Sequence, residues 1–256
     1  MNLKETYQQY LDLYNLKKPL RACTSAKQFL QLDKLEQNFY WLTESARLEV
    51  PIKDNQEPMV VLEEYFRNNN SKIIMAVGST YGLQLPDAKL RVSAAKKLLL
   101  AEQYLAELTN EPLSFKITDA HRSLALQRKY FNEIKASLQA KGFTGETLYQ
   151  KVTALISDPA NCPPHSTGGT VDLTLYNYQT NQELDLGTKV DEINDERIYL
   201  WHHDLSDEAK QYRALLCVAM VSAGYVSCVN EWWHYSCGDK EWALRTNNPH
   251  AIYGSV

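Results

Sequence analysis

The sequence has few cysteines and few glycines, and these shortages exclude several classes of protein. Its 256 residues include 5 cysteines and 10 glycines. The cysteine count is odd and no Cys-x-x-Cys pair occurs, which argues against a disulfide framework and against a thiolate zinc cluster. The chain also has no glycine-rich phosphate-binding loop, no internal repeat and no low-complexity segment. This cysteine usage is typical of a reducing compartment.

The sequence also lacks the features of membrane-spanning and nucleic-acid-binding proteins. No apolar run approaches the roughly 20 residues that a transmembrane helix requires. The formal net charge is −4 and the basic residues are scattered, so no clustered cationic surface is indicated. The first ten residues contain an early acid, Glu5, and no apolar segment of the secretory type. We therefore expect a cytoplasmic protein with no nucleic-acid partner and no membrane span, and a homo-oligomer is compatible with these features.

The order of helix-like and strand-like segments indicates an α+β fold. Apolar positions recur at helical spacing in three clear segments, residues 88–108, 124–138 and 209–223. Asp87 is placed to cap the first of these helices. Alternating or short apolar runs predict strands at residues 73–77, 115–119, 171–176 and 232–235. Because no steady strand–helix–strand rhythm is present, we predict a central, mostly antiparallel sheet flanked by helices.

Two short segments contain the residues of a three-ligand zinc site. The first runs from His165 to Asp172 and reads His-Ser-Thr-Gly-Gly-Thr-Val-Asp, and the second runs from Glu231 to His234 and reads Glu-Trp-Trp-His. Two neutral imidazoles and one carboxylate suit zinc and leave one coordination position open for water. The two glycines of the first segment would let the backbone turn toward one ion. We therefore predict one Zn²⁺ per chain, held by His165, Asp172 and His234.

Glu231 lies three residues before His234 and could take a proton from water at such a site. This combination is typical of metal-assisted hydrolysis of an amide. Taken alone, each segment also has an ordinary interpretation, as a chance pairing or as an aromatic pair with a satisfied polar residue at each end. In an extended segment residues three apart point to opposite faces, so a bulge or twist would be needed to direct both side chains into one cavity.

The combined segments resemble the D-alanyl-D-alanine dipeptidases of the VanX type, zinc enzymes of the D-Ala-D-Ala peptidase and hedgehog-like fold. The similarity extends from about Leu90 to Trp242 and is faint before residue 80. It also includes two further segments in the same order, Asp119-x-x-Arg122 and Gly187-Thr188-Lys189-Val190-Asp191. We therefore predict a helical or irregular N-terminal extension over residues 1–80, packed on the core, and a catalytic domain over residues 81–256.

The resemblance implies a role for each matched residue. His165, Asp172 and His234 would hold the zinc. Glu231 would be the general base for a zinc-bound water and then the acid for the leaving amine. The roles toward the substrate would fall to four further residues: Arg122 would stabilise the oxyanion, Asp191 would pair with the free ammonium, and Ser166 and Trp233 would contact the substrate.

Two of these residues also have ordinary interpretations. Arg122 could be a structural salt-bridge partner, and Asp191 belongs to an acidic stretch that could be a solvated surface. The chain departs from the family pattern at Pro163-Pro164, where small hydroxyl residues are usual beside the substrate. His121 and Ser123 likewise replace the usual aromatic residue and proline around Arg122.

The predicted activity is hydrolysis of a small D,D-dipeptide, most simply D-Ala-D-Ala. It would serve peptidoglycan precursor turnover, scavenging or glycopeptide resistance. A D,D- or L,D-carboxypeptidase acting on longer wall peptides is the enzymatic alternative. Such an enzyme would need an open cleft, and it would not need Asp191 to recognise a free amine. A non-catalytic zinc-binding module is the other alternative, and the presence of both Glu231 and Arg122 counts against it.

Overall fold

The chain folds as helices packed around a central sheet, in a computed structural model that describes residues 2–76 and 87–256. Numbered along the described chain, the helices are α1 Leu3–Asn15, α2 Ala26–Gln31, α3 Lys34–Gln37, α4 Glu44–Leu48, α5 Leu62–Asn68, α6 Val92–Leu108, α7 Leu124–Ala140, α8 Gly145–Thr153, α9 Asp207–Ser222 and α10 Lys240–Arg245. The strands are β1 Arg21–Cys23, β2 Tyr40–Leu42, β3 Met59–Val61, β4 Ile74–Met75, β5 Lys89–Arg91, β6 Leu113–Asp119, β7 Thr170–Asn177, β8 Gln182–Glu183, β9 Val226–Ser227 and β10 His234–Ser236.

The central sheet is mixed but mostly antiparallel. Its strand order is β4-β6-β7-β10-β9, and β8 pairs with the end of β7. Only the β4–β6 pairing is parallel among the described strands of this sheet, so the α+β prediction is confirmed. The alternation along β7 explains its place at the centre: Leu173 and Leu175 belong to the apolar core, while Asp172 and Thr174 point to the opposite face.

The main core lies between the sheet and α6 and α9, two of the three long helices. These helices contact each other, α6 contacts β6, and α9 contacts β7. Leu98 and Leu105 of α6, Met220 of α9 and Phe115 of β6 have no exposed surface. Burial of apolar side chains of this size stabilises the fold by about 1.5–3 kcal/mol each. None of the helices in the described ranges has the length and apolarity that crossing a lipid bilayer requires.

Apolar residues between Cys23 and Val50 form a second, smaller cluster with α10. Phe29, Leu42 and Ala46 pack with Ala243 and Leu244 of α10. Farther along the chain, β4 joins the central sheet beside β6. The predicted division into residues 1–80 and 81–256 has its boundary outside the described residues, so it stays a prediction.

Three local predictions had wrong boundaries. The helix expected from Ala88 begins at Val92, because Lys89–Arg91 form β5 and pair with β3, so Arg91 rather than Asp87 occupies the N-cap position. The strand expected at residues 232–235 begins at His234, because the two tryptophans before it form a turn. The strand expected at residues 73–77 is limited to Ile74–Met75, and Val77 lies outside the described residues.

Candidate active site

The register of three neighbouring strands brings the polar residues of the site together. In the pairing of β7 with β10, Asp172 lies opposite His234, and in the pairing of β7 with β6 it lies opposite Asp119. Directly opposed residues have Cβ atoms about 4.5–5.5 Å apart. The register of β6 shifts between Ile117 and Asp119, which is a β-bulge. Bulges redirect side chains, so the end of β6 can present its carboxylate beside β7.

His165 comes from the short 3-10 helix Pro164–Thr167 that leads into β7. Gly168 follows with φ +74°, a left-handed conformation that favours glycine. Arg91 fixes this loop, because its backbone N–H donates to the Gly168 carbonyl at 2.7 Å and its Nε donates to the Thr167 carbonyl at 2.9 Å. Arg91 therefore holds two successive carbonyl groups of the loop that carries His165, and Gly168 provides a turn of the kind that the paired glycines suggested.

Gly169 is the tightest position in this loop, and Gly169→Ala is expected to destabilise the protein. A Cβ at this position would lie 2.1 Å from the Cys237 carbonyl oxygen and 2.8 Å from the Tyr253 ring, so backbone would have to move. Overpacking of this kind costs about 1–3 kcal/mol. Urea denaturation measures the loss. Gly254→Ala is the matched control, because its Cβ would meet its nearest atoms at 3.4 Å; equal stability of the two variants would contradict the prediction.

The three predicted metal ligands form one buried cluster. One nitrogen or oxygen atom from each of His165, Asp172 and His234 lies within 4.8 Å of the others. The three residues are only 4% to 8% exposed. His165 Nε2 lies 3.3 Å from Asp172 Oδ2, and His234 Nδ1 lies 2.8 Å from Asp172 Oδ1. The carboxylate thus lies between the two imidazoles.

The orientation of His165 fits a metal ligand. Its Nδ1 lies 2.8 Å from the Ala120 carbonyl oxygen, which can only accept a hydrogen bond. In the neutral ring, Nδ1 therefore carries the hydrogen and Nε2 directs a lone pair toward the Asp172 carboxylate. A cation between these two acceptors would stabilise the arrangement. Two imidazoles and one carboxylate are a common zinc donor set, so the residues present fit zinc.

The pKa values in the cluster reflect its strong internal electrostatics. Burial alone would raise the pKa of Asp172, but the imidazoles of His165 and His234 hold it well below its ordinary value. Burial alone would lower the pKa of His234, but the Asp172 carboxylate raises it to about 9. A metal ion would replace the proton that these groups hold, so metal binding releases protons.

Glu231 lies beside the cluster because of a turn rather than the expected bulge. The turn is closed by the His234 N–H, which donates to the Glu231 carbonyl at 3.1 Å. It brings Glu231 Oε2 to 3.9 Å from His234 Nδ1, and the carboxylate side chain keeps 24% of its surface exposed. Burial, with the charge of Asp172, raises the pKa of Glu231 above its ordinary value. A carboxylate with a raised pKa beside a metal site can accept and return a proton.

A small cavity of about 90 Å³ opens in front of the cluster. Its lining includes four further residues that the sequence singled out, Arg122, Asp191, Glu231 and Trp233. Pro163 and Pro164 also line it, as expected from their position before His165. Ser166 does not: its side chain is fully buried away from the cavity, and its Oγ has no hydrogen-bond partner among the described residues. Its placement gives no support to the predicted substrate contact.

Arg122 is buried and held by several groups at the edge of the cavity. Its Nη2 pairs with Asp119 Oδ2, its Nη1 donates to Gln127 Oε1 at 2.9 Å, and its guanidinium lies 5.5 Å from the Tyr130 ring centre. Arg122 therefore forms a salt bridge with Asp119 and also lines the cavity. A guanidinium held this firmly is preorganised to stabilise negative charge.

Asp191 has an unusual backbone and an unusual pKa. Its φ is +64°, a left-handed conformation that non-glycine residues rarely adopt and that is often found at functional sites. Burial, together with the nearby carboxylates of Asp172, Glu231 and Asp119, raises the pKa of Asp191 to about 7. A carboxyl group in this environment gains stability when a cation approaches it.

The sequence did not single out several residues that shape the site. Gln127 fixes Arg122, and Trp41 and Arg47 line the cavity from the N-terminal part of the chain. Asp119 was visible as part of the Asp119-x-x-Arg122 spacing, but its pairing with Arg122 depends on the strand end. No local pattern marks Trp41 or Arg47, because their contacts with the site are distant in sequence.

Comparison with known proteins identifies the family of the chain. The Peptidase_M15 family, described as D-ala-D-ala dipeptidase, matches residues 93–253. A D-alanyl-D-alanine dipeptidase of Synechocystis sp. is 31% identical over 240 residues, which cover 82% of this chain and 96% of that protein. A D-alanyl-D-alanine dipeptidase of Enterococcus faecalis is 30% identical over 118 residues, which cover 46% of this chain and 50% of that protein.

Among solved structures, similarity extends to the vancomycin resistance D,D-pentapeptidase VanY in complex with Zn(II). It covers 65% of this chain and 82% of that chain, at 16% identity and a TM-score of 0.38. The family match and the Synechocystis relative define a metallopeptidase. The chain belongs to the D-Ala-D-Ala dipeptidase family of peptidases, which confirms the resemblance predicted from the sequence.

Proposed function

We propose that the protein hydrolyses D-alanyl-D-alanine, or a similar D,D-dipeptide, to free D-amino acids with one Zn²⁺ per chain. The observation that carries this proposal is the buried cluster of His165, Asp172 and His234, whose ligand atoms lie within 4.8 Å of one another beside the Glu231 carboxylate. Membership of the D-Ala-D-Ala dipeptidase family supports the choice of substrate. The small volume of the cavity suits a small ligand.

His165, Asp172 and His234 would hold the metal. When bound, zinc supplies a Lewis acid that polarises the scissile carbonyl and lowers the pKa of water to about 7. Glu231 would take a proton from the attacking water and return it to the leaving amine, a role that its raised pKa supports. Arg122, fixed by Asp119 and Gln127, would stabilise the negative charge that develops on the carbonyl oxygen.

Asp191 would pair with the free α-ammonium of the dipeptide. The neighbouring carboxylates that raise its pKa also make the site favourable for a cation. An acylated amine would leave this buried carboxylate without its partner, which penalises longer or blocked peptides. Asp191 would therefore select dipeptides.

We expect Asp191→Asn to raise KM for D-Ala-D-Ala by about 10- to 100-fold, the range that a hydrogen bond to a charged group predicts. The wild-type KM should rise as the pH falls through about 7, because protonated Asp191 no longer attracts the ammonium. A bound cation lowers this pKa, so the midpoint lies at or below that value. The variant should show a high KM that does not change over this pH range.

The control substrate is N-acetyl-D-Ala-D-Ala, which lacks the ammonium. Steady-state kinetics of the wild type should favour the free dipeptide, and Asp191→Asn should remove that preference. Wild-type enzyme that prefers the acetylated substrate would contradict both the role of Asp191 and the dipeptidase assignment.

One observation favours a D,D- or L,D-carboxypeptidase acting on longer wall peptides as a second candidate. The cavity is adjoined by an outer chamber of about 610 Å³, whose lining includes Lys18, Tyr199 and His202. The two spaces share Trp41 and Glu231 among their lining residues. A longer peptide could extend from the cavity into this chamber. The acetylated dipeptide distinguishes the candidates, because a carboxypeptidase does not require a free amine.

A further inference from the structure

We propose that Arg47, which α4 carries into the active site from the N-terminal part of the chain, binds the C-terminal carboxylate of the substrate. The inference rests on the proposed hydrolysis of a dipeptide and deepens it. Asp191 is assigned to the ammonium, and Arg47 would recognise the opposite end of the same zwitterion. Recognition of both termini would restrict the substrate to free dipeptides.

Arg47 lies in the wall of the cavity with donors to spare. Its Nη2 donates to Glu44 Oε2 at 3.0 Å and to Ser157 Oγ at 3.4 Å, while its Nη1 lies 3.7 Å from Glu241 Oε2. Nε and Nη1 donate no hydrogen bond to any described residue, and neither atom is sealed from solvent. A guanidinium has five N–H donors, so Nη2 can be held by Glu44 and Ser157 while Nη1 donates to a ligand carboxylate.

The charges around the cavity leave few other groups for this role. Asp172, Asp191 and Glu231 line the cavity and would repel a carboxylate. Of the described lining residues, Arg47 and Arg122 carry permanent positive charge, and Arg122 is already assigned to the charge that develops on the carbonyl oxygen. A peptide carboxylate placed among anionic groups requires a cationic partner to offset its loss of hydration.

The prolines before the zinc loop cannot take this role. Pro163 and Pro164 line the same cavity, but proline has no backbone N–H and no side-chain donor. Cys228, another lining residue, directs its thiol to Asn230 Oδ1 at 3.1 Å. Arginine, by contrast, carries a permanent positive charge and N–H donors that can form charge-assisted hydrogen bonds to a carboxylate.

The position of Arg47 is fixed by a charge-balanced network and by packing. Glu241 also accepts from Arg245 Nε at 2.8 Å, so two guanidinium groups face the two carboxylates Glu44 and Glu241. The preceding residue, Ala46, is fully buried against α10 within the second apolar cluster. The side chain therefore needs little reordering when a ligand binds, which favours affinity.

The test compares D-Ala-D-Ala with its C-terminal amide, which has no carboxylate. The wild type should have the lower KM for the acid. Arg47→Gln, which retains much of the side-chain volume, should reduce the ratio of the two KM values by about 10- to 100-fold, the range expected for a hydrogen bond to a charged group. Arg47→Lys retains the cation and should restore part of the ratio, although a single ammonium lacks the separate nitrogens with which arginine binds Glu44 and the ligand together.

Arg245→Gln is the matched control, because Arg245 binds the same Glu241 carboxylate but does not line the cavity. It should lower the melting temperature but leave the KM ratio well above that of Arg47→Gln, because Arg47 keeps Glu44 and Ser157 as partners. If Arg47 had only a structural role, Arg47→Gln would behave like Arg245→Gln, and an unchanged ratio in the Arg47 variant would overturn the inference.

Calorimetry separates this inference from the proposed function. Both peptides are titrated into zinc-loaded protein with and without Arg47→Gln, each in the Glu231→Gln background, so that slow hydrolysis does not obscure binding. A preference for the acid that disappears in Arg47→Gln would support the role of Arg47 even if hydrolysis were absent, in which case only the proposed function would fail. Absence of binding of either peptide to the protein that retains Arg47 would overturn both proposals.

Discussion

Glu231→Gln is expected to lower kcat for D-Ala-D-Ala by about 10²–10⁴-fold, the contribution typical of a general acid–base group. Glutamine retains the shape of the side chain but cannot accept a proton from water at neutral pH. Because Glu231 lies 3.9 Å from His234 and does not belong to the ligand cluster, the variant should retain zinc. Single-turnover kinetics with metal-loaded protein measure the chemical step directly.

Two controls show whether a loss of kcat comes from the Glu231 carboxylate itself. Metal content by atomic emission should be equal in the wild type and in Glu231→Gln. Glu183→Gln removes a carboxylate from β8 that pairs with Lys116 at the surface and does not line the cavity, so its kcat should be unchanged. Normal turnover by Glu231→Gln would remove Glu231 from the mechanism.

His234→Ala is expected to abolish tight zinc binding and, with it, hydrolysis. Loss of a group that only orients a ligand typically weakens metal affinity by about 10- to 100-fold. Loss of one of three direct ligands should therefore weaken it more. The variant also leaves the buried Asp172 carboxylate without the hydrogen bond at 2.8 Å that holds its pKa low. Competition with a zinc-chelating dye measures the affinity.

The matched control is His250→Ala, because His250 does not line the cavity. Zinc should raise the melting temperature of the wild type and of His250→Ala, since a ligand that binds only the folded state stabilises it. His234→Ala should show little or no increase. Equal zinc-dependent stabilisation of all three proteins would contradict the assignment of His234 as a ligand.

The chemistry of the site was easier to predict from the sequence than its walls. His165, Asp172, Glu231 and His234 lie in two short segments, so residue type and spacing already predicted a cluster that the fold brings together. Short segments carry such information because the residues that define them are close along the chain. The roles of these residues stay predictions until they are measured.

The shape of the second segment could not be read from its sequence. The sequence suggested a strand through Trp232 and Trp233. Both residues are instead buried in a turn before β10. Trp232 is held there by a hydrogen bond from its indole N–H to Thr188 Oγ1 at 2.8 Å, a contact across 44 residues. Tertiary contacts of this kind override local strand preference.

The contribution of the N-terminal part of the chain to the cavity also could not be predicted from local sequence patterns. Arg47 and Trp41 reach the cavity because residues near them pack on α10, which follows them by almost two hundred residues. Ser166 is the opposite case, since its place inside the zinc-loop motif suggested a substrate contact but its side chain is buried and does not line the cavity. Motif membership therefore predicted which residues cluster better than it predicted which residues line the cavity.

The most direct test is release of D-alanine from D-Ala-D-Ala by purified, zinc-loaded protein, measured beside L-Ala-L-Ala and a peptidoglycan pentapeptide ending in D-Ala-D-Ala. We expect release from D-Ala-D-Ala and no hydrolysis of the other two, because a free D,D-dipeptide alone would present its ammonium to Asp191 with the scissile amide beside Glu231. Release from the pentapeptide without release from the dipeptide would contradict the proposed function and indicate a carboxypeptidase.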